Sequence, residues 1–164
     1  MRAKTKIILS LAVLREISNK IKYYELVIEN NIKRLNVVAN AGILKDKTEV
    51  NKELKNLIEM KKKVELIDIF VEYMITRLET IIAVENLTLA TSIIKELAKE
   101  LKRSIGGVLP ALDIYIDELN RLSNDTVRTL SLELNNISIN NTNVREEARK
   151  IIDEAKAVIK AKNI

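Results

Sequence analysis

No cysteine and no histidine occur in the 164 residues. The chain therefore forms no disulfide, offers no thiol nucleophile, and cannot build the thiolate or imidazole sites of structural zinc. It also lacks the side chain that ordinarily titrates near neutral pH. Three glycines and one proline are too few turn residues for a many-stranded fold, and they exclude collagen-like and linker-like chains. Tryptophan is absent, and one Phe with four Tyr gives few platforms on which nucleic-acid bases could stack. No glycine-rich phosphate loop is present, so nothing in the sequence points to nucleotide hydrolysis. What these absences leave is carboxylate or lysine chemistry, or a protein that works by binding.

What is present is helical material: 47% apolar and 31% charged residues, the balance of one all-α domain rich in charged helices. The net charge of +5 is uneven, because residues 1 to 44 carry eight basic and three acidic groups while the remainder nearly cancels. A cationic amphipathic helix attracts either phospholipid headgroups or a nucleic-acid backbone, and composition does not choose between them. Arg2, Lys4 and Lys6 before the apolar run Ile7 to Leu14 resemble a signal peptide, but Ser10 interrupts the run and no small-residue cleavage site follows. The run reads as the packed first turns of a long helix, with shallow membrane insertion as the alternative. No segment reaches the length of a transmembrane helix.

From Leu14 the apolar residues recur at Ile17, Ile21, Tyr24, Ile28, Leu35 and Val38, with Asn31 the polar exception. This alternation of three and four is the seam of a helix packed on another helix. It predicts a helix from about Lys4 to Ala41, ended by Gly42 in a left-handed C′ conformation. Asp46 and Glu49 have capping-box spacing, with Thr48 a rival cap. A second seam follows at Leu57, Met60, Val64, Ile67, Val71, Met74, Leu78 and Ile81, predicting a helix from about Thr48 to Glu85. Equal lengths and a short glycine-containing connection make a long antiparallel hairpin the expected arrangement. Leu66, Ile69, Phe70 and Tyr73 lie beside the second seam, so shorter helices of this chain or another copy must cover them.

A third helix is expected over Leu89 to Ile105, with Asn86 to Thr88 as a bend or a polar spot on one continuous helix. Gly106, Gly107 and Pro110 make the strongest break in the chain. Leu112 to Ile137 outlines a fourth helical region with a weak point near Ser123 to Asp125. Residues 140 to 143 read as a linker, and Asn143 with Glu146 as the capping box of a last helix to about Lys160. Its stripe of Ala148, Ile152, Ala155 and Ile159 is thin, suggesting loose docking or a recognition element.

Glu25, Glu29, Asp68, Glu72 and Glu79 are the carboxylates that a helical bundle could turn on a metal, but a Glu-x-x-His element is impossible here, and solvated charge or pairing is expected for them. Lys61, Lys62 and Lys63 read as a solvated face. Sequons at Asn86, Asn124, Asn136 and Asn140 are what an asparagine-rich chain produces by chance. No catalytic residue, metal or cofactor is expected.

Three segments carry a resemblance: "RLETI" at Arg77 to Ile81, "GGVLP" at Gly106 to Pro110, and "IDELNRL" at Ile116 to Leu122. With the order and lengths of the helices, they make residues 5 to 135 similar to the archaeal ESCRT-III family, the CdvB-like cell-division proteins. The resemblance implies a non-enzymatic subunit that assembles into curved filaments and constricts membrane necks, with residues 1 to 139 as the core and 140 to 164 as linker and last helix. It implies a cytoplasmic protein recruited to the inner face of the cell membrane, at the division site. Implied partners are further copies, related subunits, an AAA ATPase and an anionic membrane surface. The candidate membrane face is Arg2, Lys4, Lys6, Arg15, Lys20 and Lys22; Leu66, Phe70 and Tyr73 are candidate self-contacts. Asn86, Thr88, Gly106 and Gly107 are candidate hinges, and Ile152 and Ile159 candidate ATPase-recruiting residues. A helical scaffold or adaptor, or a basic nucleic-acid-binding protein, is the alternative.

Overall fold

The computed structural model describes residues 1–42, 47–134 and 142–162. They form five helices and one 3-10 turn: α1 (Ala3–Asn40), α2 (Thr48–Ala83), α3 (Leu87–Ile105), the turn Pro110–Leu112, α4 (Asp113–Glu133) and α5 (Thr142–Lys162). The two long helices are in extensive contact, and the three shorter ones pack against them. Ion pairs Lys4–Glu85, Arg15–Glu79 and Lys22–Asp68 cross the α1/α2 interface in falling and rising order, which makes the hairpin antiparallel.

Both seams are buried where the pattern placed them over Leu14, Ile17, Ile21 and Ile28 on α1 and over Val64, Ile67, Val71, Met74, Leu78 and Ile81 on α2. Beyond Ile28 and before Val64 the hairpin has no buried residue among those described. The reason is length. At 1.5 Å per residue the 38 residues of α1 reach about 57 Å, whereas the 19 of α3 reach about 28 Å. The far half of the hairpin, hereafter the tip, is therefore a two-helix rod whose seam of Ile32, Leu35 and Ala39 against Val50, Leu54 and Leu57 is only half-buried. There the expected seam residues Val38 and Met60 are exposed, at 41% and 38%, while Ala39 and the expected Leu57 are half-buried.

The near half is a bundle. Helix α3 returns alongside α2, and α4 folds back against both α3 and α1. Lys102 Nζ lies 3.1 Å from Asp117 Oδ1, and at the other end Glu133 Oε1 accepts the Ala3 backbone N–H at 3.0 Å. α4 continues unbroken through Ser123 to Asp125, where a weak point was expected; Ser123 and Thr126 turn their hydroxyls onto the Asn120 and Leu122 carbonyls and stay buried. α5 covers α3 and the side of α2, burying Ala148, Ile151, Ile152 and Ala155.

The connections obey local chemistry. Gly42 has φ +65, the left-handed end expected of α1. Lys47 is at the N-cap position of α2, and the expected cap Asp46 lies outside the described residues, as does the predicted linker at 140 and 141. The α2/α3 junction is a chain reversal and not a continuous helix. Asn86 N–H donates to the Ile81 carbonyl at 3.1 Å and Glu85 N–H to Ile82 at 2.9 Å, the paired bonds of a Schellman ending. Its left-handed position is filled by Glu85, φ +59, which costs about 1–2 kcal/mol relative to glycine. Asn86 then caps α3 by accepting the Leu89 N–H.

At the α3 end the two glycines differ. A Cβ on Gly106 would stand 2.7 Å from the Lys102 carbonyl oxygen, whereas one on Gly107 would meet nothing within 4 Å. Gly106→Ala is expected to cost about 1–2 kcal/mol and Gly107→Ala to be neutral or slightly stabilising. Thermal unfolding of the two variants checks this, and equal midpoints would contradict the crowding at Gly106.

Candidate functional site

The residues singled out in the sequence fall into four groups, and the structure brings each into a different setting. Of the six amino-terminal cations, four are engaged. Lys4 pairs with Glu85, Arg15 with Glu79, and Lys22 with Asp68 and Glu72, while Lys6 donates to the Thr129 hydroxyl. Arg2 and Lys20 make no ion pair with a described residue. Exposed pairs such as Lys4–Glu85 contribute little to stability, but they halve the charge that these side chains present outward. Ile8 and Leu9 of the first apolar run are exposed, whereas Ile7, Leu11 and Leu14 are core.

Among the candidate self-contacts, Phe70 is buried within this one chain, and Leu66 and Tyr73 are half-buried. α3 and α5 face Leu66 and Phe70, which with Ile67 line a groove shared with Glu100, Ser104, Lys156, Ile159 and Lys160, while Tyr73 packs against the main core. Ile152 is buried and Ile159 half-buried in the same contact, so the expected recognition residues of the last helix face inward.

What holds α5 was not read from the sequence. Glu96 and Glu100 of α3 have side chains only 11–12% exposed. Arg145 and Arg149 approach Glu96 at 3.5 and 3.6 Å, and Lys156 reaches Glu100 at 2.7 Å. Lys99 and Arg103 add intrahelical pairs to the same two carboxylates. The signal was available: Arg145, Arg149 and Lys156 recur at helical spacing beside the Ala148/Ile152 stripe, and Glu96 and Glu100 are four apart.

The second unforeseen cluster crosses the hairpin where the bundle ends. Lys22 donates to Asp68 at 3.0 Å and also to Glu72. Burial draws its ammonium down, and those two bonds more than reverse this, holding it above the ordinary lysine value. Glu25, one turn along, has a buried Oε1 that no donor reaches. Burial, a hydrogen bond with Asp68 and the charges of Asp68 and Glu65 push Glu25 up to about 7 against the opposing pull of Lys22. Of the remaining candidate carboxylates, Glu29 pairs with Lys33 and Glu79 with Arg15. Among the described residues no three His, Cys, Asp or Glu side chains form a metal-holding group, and no helix is long and apolar enough to cross a membrane.

No family model, curated protein or solved structure matches the chain.

The raised Glu25 group gives a pH dependence of definite sign. The folded state holds its proton up to about pH 7, the unfolded state only to about 4.5. Its contribution to stability is therefore fully present below about 4.5 and is lost as pH rises through 7. Glu25→Gln is expected to raise the unfolding free energy at pH 8 by about 1–2 kcal/mol, and the gain should vanish by pH 4.5. A pH-independent difference would show that Glu25 is not raised in the folded state.

The clamp on α5 gives a second expectation. Arg149→Glu with Lys156→Glu places negative charge against Glu96 and Glu100, so amide hydrogen exchange over residues 148–155 should speed up at least tenfold while α1 and α2 stay protected. Unchanged protection in α5 would mean that its apolar stripe alone secures it.

Proposed function

We propose that the chain is a non-enzymatic subunit of a membrane-remodelling filament, acting in cell division or membrane scission as its resemblance to the archaeal ESCRT-III family implies. The observation that carries the reading is the shape of the hairpin: two antiparallel helices make a rod about 57 Å long whose far half is covered by no third helix among the described residues. A rod of this kind offers lateral contact to copies of itself along its length, and repetition multiplies weak contacts into a stable polymer. Exposed Tyr23, Leu26 and Val37 recur along the outer side of α1, leaving apolar area to bury in such an assembly.

In this reading α5 is the part that changes place. Lifting it uncovers Leu66 and Phe70, beside the half-buried Tyr73, for neighbouring subunits and frees Ile152 and Ile159 for an AAA ATPase or a related subunit. The turn at Val84 to Asn86, just before the helical Thr88, and the pair Gly106 and Gly107 are where α3 and α4 would swing. The membrane supplies anionic headgroups, and the subunit supplies cations.

Electron microscopy of the purified chain with and without phosphatidylserine vesicles tests the reading. Ordered polymers and tubulated or constricted vesicles are expected. Dispersed particles and round vesicles over the same concentration range would overturn it in favour of a scaffold or adaptor whose rod binds another protein.

A further inference from the structure

Toward its carboxyl end α5 stops sealing against the bundle. Ala148, Ile151, Ile152 and Ala155 are buried, but Ile159, the next residue of the same stripe, is only half-buried, as is Leu66 of α2. Both line a groove of about 320 Å³. Leu66, Ile67, Phe70 and Ile159 give it apolar walls, and Glu100, Ser104, Lys156 and Lys160 supply its polar lining. A concave, mostly apolar surface with a few convergent polar groups is the usual form of a small-molecule site. The adjoining cavity of about 660 Å³ differs, because charged side chains of α3 and α5 line it beside Ile152 and leave an apolar ligand little wall to bury against.

Charge decides what the groove takes. Lys156 is occupied by Glu100 at 2.7 Å, and Ser104 donates its hydroxyl to the same carboxylate at 3.5 Å. Lys160 is exposed and makes no ion pair with a described residue. The polar lining therefore carries one unpaired ammonium and a net single positive charge, which complements a monoanion. A dianionic phosphate ester would bring its second charge toward Glu100. Size sets the rest. A water takes about 30 Å³ of liquid and a methylene about as much, so the groove accommodates about ten chain carbons. A partner's helix, about 10 Å across, does not enter it while α5 is docked.

We infer that the groove between α2 and α5 binds a single-chain fatty carboxylate of about ten carbons, its chain against Leu66, Phe70 and Ile159 and its headgroup on the Lys160 ammonium. The walls of the site belong to two elements, so the ligand is held only while α5 is docked. By linkage, binding then slows the release of α5, and the ligand acts as a latch on that helix. The site needs the docked position of α5 alone and not the filament, so binding of the carboxylate and formation of polymers fail separately.

The test is calorimetric titration of the full chain with sodium decanoate below its micelle concentration, paired with methyl nuclear magnetic resonance. Decanoate should bind one to a chain, with Overhauser contacts to the Leu66, Ile67 and Ile159 methyls. Octanoate, two methylenes shorter, should bind about tenfold more weakly. Lys160→Glu should weaken decanoate about tenfold and leave decan-1-ol as it was. Leu66→Trp and Ile159→Trp, which fill the groove from opposite walls, should lose both ligands. Decanoate should also slow amide exchange over residues 148–155 in the parent chain and not in the filled variants. Decylammonium bound as tightly as decanoate, or undiminished affinity in Lys160→Glu, would overturn the assignment. So would decyl phosphate held more tightly than decanoate, contacts confined to other methyls, or titrations that never saturate.

Discussion

The constraint on which the rest of this structure depends is a mismatch of lengths. α1 and α2 have 38 and 36 residues, and the helices that cover them have 19 and 21. Hydrophobic stabilisation scales with apolar area removed from water, and a seam between two helices buries a single strip, whereas a bundle closes around whole side chains. In the covered half Leu14, Ile17, Ile21, Met74 and Leu78 are completely inaccessible. In the uncovered half Val37 is 69% exposed and Ile32, Leu35, Leu54 and Leu57 are sealed on one side only. Stability is therefore graded along the rod, and the tip keeps its form by continuity with helices anchored in the bundle.

Charge follows the same division. Where helices pack side by side, carboxylates are partly desolvated and need cations, so Asp68, Glu96 and Glu100 each have one or more. In the tip, water does that work: Arg34, Lys47, Lys52, Lys55, Lys62 and Lys63 make no ion pair with a described residue, and Lys33 and Lys61 pair only within their own helices. Lys22, Glu25, Asp68 and Glu72 sit at the border between the two regimes, adjacent to the last buried residues Ile28 and Val64. Burial there, together with Asp68 and Glu65, raises Glu25 to about 7, and the carboxylates of this group outnumber its cation. The junction is thus less stable in its fully ionised form than the apolar layers below it.

The sequence made the hairpin legible because its signals were local or periodic. Leu78, Met74 and Val71 belong to a repeat that only a helix–helix seam produces, and Gly42 marks an end that only a left-handed residue provides. Two kinds of feature stayed hidden. Lys22–Glu72 and Arg15–Glu79 join residues 50 and 64 apart, and such pairs depend on the register of the hairpin, which the 3-4 repeat leaves free to slide by a heptad. The α2/α3 reversal puts Glu85 where glycine is usual, so the composition of Asn86 to Thr88 suggested a bend without showing a full turn. Of the candidate site, the residue types on α1 were legible, but their engagement by Glu79, Glu85 and Thr129 was not. Without that knowledge the amino-terminal end looked more cationic than it is, and the tip less.

The last helix shows how the two interactions combine. Its buried stripe consists of Ala148, Ile151, Ile152 and Ala155, and two of those four side chains are single methyl groups, so the apolar term is small for a helix of 21 residues. The ion pairs with Glu96 and Glu100 join α5 to α3 beside that stripe. They are coupled, because Arg145 and Arg149 share one carboxylate while Lys156 shares the other with Arg103. Moving α5 away would leave two nearly buried carboxylates with only their intrahelical partners Lys99 and Arg103, and would expose Phe70 as well. Both costs are relieved together or not at all, since the stripe and the cations lie on one face of one rigid helix. Docking therefore depends on the apolar stripe and the ion pairs together.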